Sequence, residues 1–142
     1  VNLDWVMFAC SLTPYRHTSE FLDFVEQLRR QGVGLINSAV FNAGFLIGGD
    51  YFDYVKVDRS SEPELFEWRE QFLECCKAYD VKPAHACVRF GMSAPGIVSV
   101  ALNTSKPERI KQNVEMVQTP IADEFWQALK QQGLIDKEYP YL

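Results

Sequence analysis

Residues 32–46 read GVGLINSAVFNAGFL, and this stretch contains the end of a helix, a strand and the start of a long loop. Gly32 stands where a glycine commonly ends a helix. Residues 33–36 form a short apolar run that predicts a buried strand. Residues 37–58 follow without a clear periodicity and are rich in glycine and aromatic residues, which predicts a loop.

The rest of the chain alternates strand-like and helix-like segments on both sides of this stretch. WVMFAC at residues 5–10 predicts a strand buried on both faces, and IVSVAL at residues 97–102 predicts a third strand. Helices are predicted over residues 19–31, 61–80, 83–92, 105–117 and 122–132. Ser61 and Ser105 each begin a Ser-x-x-Glu pattern that is typical of a helix N-terminus.

The apolar spacing also predicts which side of each helix is buried. The predicted buried residues are Phe21, Val25 and Leu28, then Leu65, Trp68, Phe72 and Cys76, then Cys87, Val88 and Phe90, then Ile110, Val114 and Val117, and finally Phe125, Trp126 and Leu129. Strands that alternate with helices predict an α/β fold with a parallel three-stranded sheet and helices outside it. One domain over residues 1–142, without an internal boundary, is expected.

Composition narrows the classes of partner. The chain has 142 residues and a net charge of −5, without a basic stripe, which argues against nucleic acid or an anionic membrane surface as the main partner. No apolar run approaches the length of a membrane span. The four cysteines do not resemble a secreted disulfide framework, and no signal peptide is visible, so a cytoplasmic location is expected.

Few isolated residues suggest chemistry by themselves. His85 and Cys87 lie two positions apart on a predicted helix and cannot face one ligand together, so no metal site is expected. His17 is interpreted as a surface residue rather than a catalyst. Asp4 and Asp53 have no neighbour in the sequence that would mark an acid–base pair.

Three segments together resemble the aldo-keto reductase family. Residues 32–46 are similar to the family's strand-plus-loop segment GIGIIAYSPLGRGFL, and NTSKPERIKQN at residues 103–113 is similar to its final-strand signature. PAHACVRFG at residues 83–91 lies between them, in the order that the family shows. The loop at residues 40–54 and the ending FWQALKQQGLIDKEYPY at residues 125–141 resemble the D-threo-aldose and L-fucose dehydrogenases.

The resemblance implies that the three strands are the last three of a (β/α)8 barrel, a fold that takes about 250 residues. The chain begins at Val1 and enters a strand-like run directly, so its start looks cut. Three strands from a closed barrel leave two edge strands without a hydrogen-bonded neighbour and an uncovered inner face. The expected partner is therefore the missing N-terminal half of the barrel or a second copy of the chain.

The resemblance also implies a site for NAD or NADP at the carboxyl ends of the strands. The loop at residues 40–44 would wrap the pyrophosphate, Arg109 would lie near the adenosine 2′-phosphate or adenine, and Gln112 and Asn113 would contact adenine. The alternative for residues 40–44 is a plain strand-to-loop turn. The alternative for Arg109 is a solvent-exposed helix residue without a ligand. Ser38 stands where many members carry a tyrosine that stacks on nicotinamide, and Asn103 replaces a glycine or lysine. The expected cofactor residues are Ser38, Phe41, Asn42, Gly44, Asn103, Thr104, Ser105, Arg109, Gln112 and Asn113.

Tyr51, Phe52 and Tyr54 follow the second strand, in a loop that faces the active site of such a barrel. Aromatic faces suit a small sugar substrate, although the three side chains could equally form a cluster that holds the loop down.

The family's catalytic Tyr, Lys, Asp and His lie on earlier strands, so no catalytic residue is assigned here and the chain alone is expected to be inactive. In the intact parent, hydride would pass between the anomeric carbon of the sugar and nicotinamide. Two alternatives stay open: a non-catalytic half-barrel that binds a nucleotide or a protein, and an unrelated α/β domain with residues 103–113 away from any pocket.

Overall fold

A computed structural model describes residues 2–142 as a parallel sheet with helices on one side and a separate small hairpin. The elements are β1 (Trp5–Ala9), α1 (Ser19–Arg30), β2 (Gly34–Ser38), a 3-10 turn (Phe45–Ile47), β3 (Tyr51–Phe52), β4 (Val55–Lys56), α2 (Pro63–Ala78), α3 (Pro83–Gly91), β5 (Ile97–Ala101), α4 (Arg109–Gln118) and α5 (Asp123–Gln131).

The three longer strands pair in the order β1-β2-β5, and both pairs are parallel. Trp5 lies opposite Gly34 and Ala9 lies opposite Ser38. The pairing of β2 with β5 is irregular at one point, between Leu35 and Ile36. The prediction of an α/β fold with a parallel three-stranded sheet is therefore confirmed.

The two faces of the sheet are covered differently. On one face, Leu35 and Asn37 are fully buried and the Phe8 ring packs edge-on against Phe21 of α1, with ring centroids 4.8 Å apart. On the other face, Trp5 is 59% exposed and Met7 is 50% exposed. The prediction that residues 5–10 are buried on both faces is wrong, because no element of residues 2–142 covers the Trp5 face.

The predicted buried faces are confirmed for α3 and α5, where Phe90, Phe125 and Leu129 are among the most buried side chains. The prediction for α4 is wrong. Ile110 is 57% exposed, and Met116 is buried instead, because α4 packs on α3 through its last turns.

Neither serine begins its helix as predicted. Helix α2 starts after Glu62, without a side-chain cap, and Asp58 Oδ1 instead accepts hydrogen bonds from the backbone N–H groups of Ser60 and Ser61. Helix α4 starts after Glu108, also without a side-chain cap. In both places a short polar side chain ahead of the helix, Asp58 or Thr104, forms a local turn with the backbone instead of the predicted serine cap.

The loop predicted over residues 37–58 contains a hairpin that the sequence did not indicate. Strands β3 and β4 pair antiparallel and are joined by Asp53 and Tyr54, both of which have positive φ, at 47° and 69°. Two-residue hairpin turns of this kind favour Asn-Gly or Asp-Gly, so the Asp-Tyr pair gave no turn signal.

Buried Asn37, near the end of β2, and Gly91, at the end of α3, hold the loop after β2 against α3. Asn37 Nδ2 donates to the carbonyl oxygens of Leu12 and Gly91, both at 3.0 Å. A Cβ at Gly91 would lie 2.8 Å from Val40 Cγ1, so only glycine allows this close packing. Among residues 2–142 no helix has both the length and the apolar character needed to cross a bilayer.

Candidate functional site

The carboxyl ends of β1, β2 and β5 meet at one edge of the sheet, where two adjoining cavities form a groove. The cavities have volumes of about 420 and 350 Å³ and share Phe41, Leu102 and Asn103 as lining residues. We call this feature the mouth groove, with an inner half beside the strand ends and an outer half beside α4. In open α/β folds this edge is where ligands bind.

The inner half of the mouth groove is lined by Met7, Ser38 and Ala101, one residue from near the end of each long strand. The Ser38 hydroxyl donates to the carbonyl oxygen of Phe8 at 2.8 Å, so it is held by the neighbouring strand. Tyr54 of the hairpin turn lines the same half. This part of the groove therefore has few polar groups and two aromatic side chains, those of Phe41 and Tyr54.

The loop between Ser38 and the 3-10 turn has an unusual backbone. Ala39, Asn42 and Ala43 have φ of 51°, 47° and 59°, and Gly44 has φ of 97°, where a side chain would be strained. Within residues 2–142, the backbone N–H groups of Phe41 and Ala43 donate to no protein acceptor. The N–H of Asn42 between them donates to the carbonyl oxygen of Ala39 at 2.9 Å. Backbone amides left free in a loop of this conformation can bind an anion.

The outer half combines an apolar wall with a polar rim. Phe41, Ala84, Leu102 and Met116 supply the apolar atoms, and the polar lining residues are Lys82, Asn103, Thr104, Arg109, Gln112 and Asn113. The Thr104 hydroxyl accepts a hydrogen bond from the backbone N–H of Lys106 at 3.0 Å and shapes the turn before α4. This turn brings the first residue of α4, Arg109, to the groove.

Lys82 is a lining residue that the sequence reasoning missed. It immediately precedes α3, and it lies in the outer half of the mouth groove together with Arg109. The two residues are 27 positions apart in the sequence, so no local pattern could pair them. Two cations that line the same half of a groove favour a ligand that is anionic there.

The mouth groove brings together all of the expected cofactor residues except Asn42 and Ser105. Ser105 is exposed in the turn before α4. Asn42 is fully buried, and its Nδ2 donates to Asp53 Oδ1 at 2.7 Å. Its side chain therefore holds the loop in place from inside rather than lining the groove.

The three aromatic residues expected at the substrate are separated by the hairpin. Only Tyr54 lines the groove. The Phe52 ring packs edge-on against Tyr15 and Phe45, with centroid distances of 5.4 and 5.6 Å, so it anchors the hairpin to the protein. Tyr51 is half exposed and lines neither half.

Asp53 has hydrogen-bond partners that its sequence neighbours did not indicate. Arg16 Nη1 donates to Asp53 Oδ2 at 2.7 Å and to the carbonyl oxygen of Cys10 at 3.1 Å. Partial burial raises the pKa of Asp53, but hydrogen bonds from Asn42 and Arg16 outweigh it and hold the pKa below its ordinary value. Burial and the nearby Asp53 carboxylate raise the pKa of the Cys10 thiol to about 11.

His17 is not the plain surface residue that the sequence suggested. Its ring packs against both Phe90 and Tyr139, with centroid distances of 5.0 and 5.3 Å. Nδ1–H donates to the carbonyl oxygen of Thr13 at 3.1 Å, and Nε2 accepts from the backbone N–H of Asp136 at 3.0 Å. Desolvation lowers the pKa of His17. In its neutral form, the histidine links the segment after β1 to the segment after α5 through its bonds with Thr13 and Asp136.

His85 likewise has a structural contact, with Nε2 2.8 Å from the carbonyl oxygen of Thr119. In residues 2–142, no group of three or more His, Cys, Asp or Glu side chains is arranged to hold a metal ion.

Comparison with known proteins gives a family that agrees with this geometry. The sequence model of the Aldo/keto reductase family matches residues 2–133. A relative, pyridoxal 4-dehydrogenase of Microbacterium luteolum, is 31% identical over 117 residues, which are 80% of this chain and 33% of the relative. The chain thus spans about a third of the length of that relative. It belongs to the aldo/keto reductase family.

Proposed function

We propose that the chain is the C-terminal part of an NAD(P)-dependent dehydrogenase of this family and that it binds the dinucleotide in the mouth groove. In this proposal β1, β2 and β5 are the last three strands of a (β/α)8 barrel. The observation that carries the proposal is the outer half of the groove, where Lys82 and Arg109 both line a cavity that also has an apolar wall.

The residues of the groove fit a dinucleotide. Phe41, Leu102 and Met116 offer apolar surface to a flat adenine ring, and the carboxamides of Gln112 and Asn113 can both donate to and accept from its polar edge. The strained loop offers the amides of Phe41 and Ala43 to a pyrophosphate.

When bound, the cofactor supplies the hydride chemistry. The residues of this chain would bind and orient it, with the adenosine end at Arg109 and the nicotinamide end above Met7, Ser38 and Ala101 in the inner half. The proton transfer that accompanies hydride transfer would come from a Tyr, Lys, Asp and His on earlier strands, as the family resemblance implies. We therefore assign no catalytic residue within these 142 residues.

The substrate is proposed to be a small ring-bearing molecule. The loop at residues 40–54 and the C-terminal segment resemble enzymes that oxidise aldoses at the anomeric carbon, of the D-threo-aldose and L-fucose type. The name of the Microbacterium relative indicates pyridoxal instead. Steady-state assays of the full polypeptide that carries these residues, with L-fucose and with pyridoxal, distinguish the two substrates.

The uncovered face of the sheet supports a partner. Trp5, Met7 and Val98 are large apolar side chains that are at least half exposed. We propose that the N-terminal part of the barrel covers them, and a second copy of the chain is the alternative. Sedimentation of the full polypeptide tests this, because self-covering predicts a monomer and covering by a copy predicts a dimer.

The cofactor proposal is tested by titrating the full polypeptide with NADPH and with NADH and following nucleotide fluorescence. If Arg109 and Lys82 hold a 2′-phosphate, Arg109→Ala should weaken NADPH binding by about tenfold or more, since a charge-assisted hydrogen bond contributes about 1.5–3 kcal/mol. Lys82→Ala should act in the same direction. NADH binding should change less, because NADH lacks that phosphate.

Lys77→Ala is the matched control, since Lys77 is an exposed lysine at the end of α2 that does not line the groove. An equal loss for both nucleotides in Arg109→Ala would place Arg109 elsewhere on the dinucleotide. A wild-type protein that binds neither nucleotide contradicts the proposal as a whole, and one that binds but has no dehydrogenase activity favours a non-catalytic binding module.

A further inference from the structure

We propose that Asp53 is a positioning residue, which fixes the tip of the β3–β4 hairpin so that Tyr54 contacts the ring of the small substrate in the inner half of the mouth groove. This inference rests on the proposed function, because it takes the inner half as the place where substrate and nicotinamide meet. It adds a residue that selects the substrate and a second residue that holds the first one in place.

The hairpin turn keeps a bulky residue in a conformation that it rarely adopts. Tyr54 has φ of 69° at the second position of a two-residue turn, where glycine is favoured. A bulky residue with positive φ is strained, and such strain persists only where the surrounding structure determines it. The tyrosine side chain is therefore not explained by the needs of the turn.

Asp53 supplies the contacts that determine this conformation. Each of its carboxylate oxygens has its own donor: Arg16 Nη1 reaches Oδ2 at 2.7 Å and Asn42 Nδ2 reaches Oδ1 at 2.7 Å. Arg16 is fixed in turn by the carbonyl oxygen of Cys10, just after β1, and Asn42 is fully buried. These hydrogen bonds hold the turn against the loop that follows β1 and the loop that follows β2, an arrangement we call the clamp.

Phe52 provides a second anchor on the other side of the turn. Its ring packs against Tyr15 and Phe45, and the Arg16 guanidinium lies 5.5 Å from its centre. A two-stranded hairpin is marginally stable by itself, so these contacts keep it in place. Phe52 faces the protein, whereas the neighbouring turn residue Tyr54 is 70% exposed at the groove.

The position of Tyr54 separates it from the adenosine end. It lines the inner half with Met7, Ser38 and Ala101, and it does not line the outer half that contains Arg109. A tyrosine offers an aromatic face and a hydroxyl, which suit the apolar face and polar rim of a sugar or pyridine ring. Changes at Tyr54 should therefore alter binding of the substrate much more than binding of the nucleotide.

The test compares Tyr54→Gly, Tyr54→Phe and wild type in the full polypeptide. Tyr54→Gly removes the ring and relieves the turn, so its thermal midpoint should be equal to or above that of wild type. We expect the KM of the ring substrate to rise about tenfold, with NAD(P)H affinity within twofold of wild type. Tyr54→Phe, which keeps the ring, should restore most of the loss in KM.

The clamp is tested separately by Asp53→Asn, with Glu70→Gln as the matched control. Glu70 pairs with Arg59 on an exposed side of α2 and lines neither half of the groove. Asp53→Asn should raise amide hydrogen exchange of residues 51–56 and raise the KM about threefold with little change in kcat. Glu70→Gln should change neither quantity.

An unchanged KM in Tyr54→Gly, or unchanged hairpin exchange in Asp53→Asn, overturns this inference while nucleotide binding by the wild type stands. Failure of the wild type to bind NAD(P)H contradicts the proposed function and removes the substrate role of Tyr54 with it. The hydrogen-exchange result is read without any ligand, so the two failures are distinguishable.

Discussion

The two faces of the three-stranded sheet contain similar apolar side chains but have different surroundings. The helix-covered face buries Leu35 completely and leads into a core in which the Phe90 ring stacks on Tyr139 with centroids 4.8 Å apart. The opposite face leaves Trp5 and Val98 more than half exposed. The difference teaches that strand character is a local property of the sequence, whereas burial depends on what else is present to cover the strand.

The largest expected change in the free energy of unfolding comes from a substitution in the core on the helix-covered side. Phe90 is fully buried and contacts His17, Trp126 and Tyr139. Phe90→Ala should lower the free energy of unfolding by about 3–5 kcal/mol, as loss of a buried aromatic ring does. Urea unfolding of the full polypeptide checks this, with Phe90→Leu expected to lose much less. A loss below that of Phe90→Leu would show that this core is not packed as described.

The next effect tests whether the open face is covered in the full polypeptide. Burial of a large apolar side chain contributes about 1.5–3 kcal/mol, so Trp5→Ala should lower the free energy of unfolding by that amount if another part of the proposed barrel lies on it. The emission maximum of Trp5, read as the difference between wild type and Trp5→Ala, should then be that of a buried indole. A near-zero loss with a solvent-exposed emission would mean that this face stays open.

A smaller effect is expected from pH, at the edge of the covered core. The unfolded chain protonates His17 near its ordinary pKa of 6.5, but the folded protein keeps it neutral to lower pH. Stability from this residue is therefore fully present above pH 6.5 and declines as pH falls from 6.5 towards the lower pKa of the folded state. Denaturant midpoints between pH 7 and pH 5 should fall for wild type and change less for His17→Asn. Equal slopes for the two proteins would contradict this role.

The smallest effect is expected on the exposed face of α4, and the buried face of the same helix provides the contrast. Ile110 is exposed, so Ile110→Ser should change the free energy of unfolding by no more than about 0.5 kcal/mol. Met116 on the same helix is buried, and Met116→Ala should lower it by about 2–5 kcal/mol. Denaturant unfolding of both variants measures the contrast. Equal losses would mean that α4 sits on the protein by a different face.

Much of the secondary structure could be predicted from the sequence because its signals are local. Pro63 and Pro83 lie at the starts of α2 and α3, where the missing N–H of proline carries no penalty. The failures also have local causes. Asp58 competed successfully with the predicted serine cap of α2, and the Asp-Tyr turn of the hairpin lacks the glycine that usually marks it.

The lining of the mouth groove could be predicted only in part. Phe41 and Arg109 lie in segments that resemble a family, so their place in the groove was expected from that resemblance. Lys82 belongs to neither segment, and spacing alone gives no reason to place it in the same cavity as Arg109. Asn42 lies in the resembling loop, but its side chain is buried and donates to Asp53 instead of lining the groove.

By itself, the sequence determined the order of the three long strands and the five helices, the parallel sheet that follows from this order, and the family. These depend on apolar periodicity and short motifs, which are fixed within a few residues. Only the tertiary structure decided that Arg16 meets Asp53, 37 positions away, and that Tyr54 rather than Phe52 faces the groove. Such contacts form when distant segments pack together, and no local pattern of residues records which segments those will be.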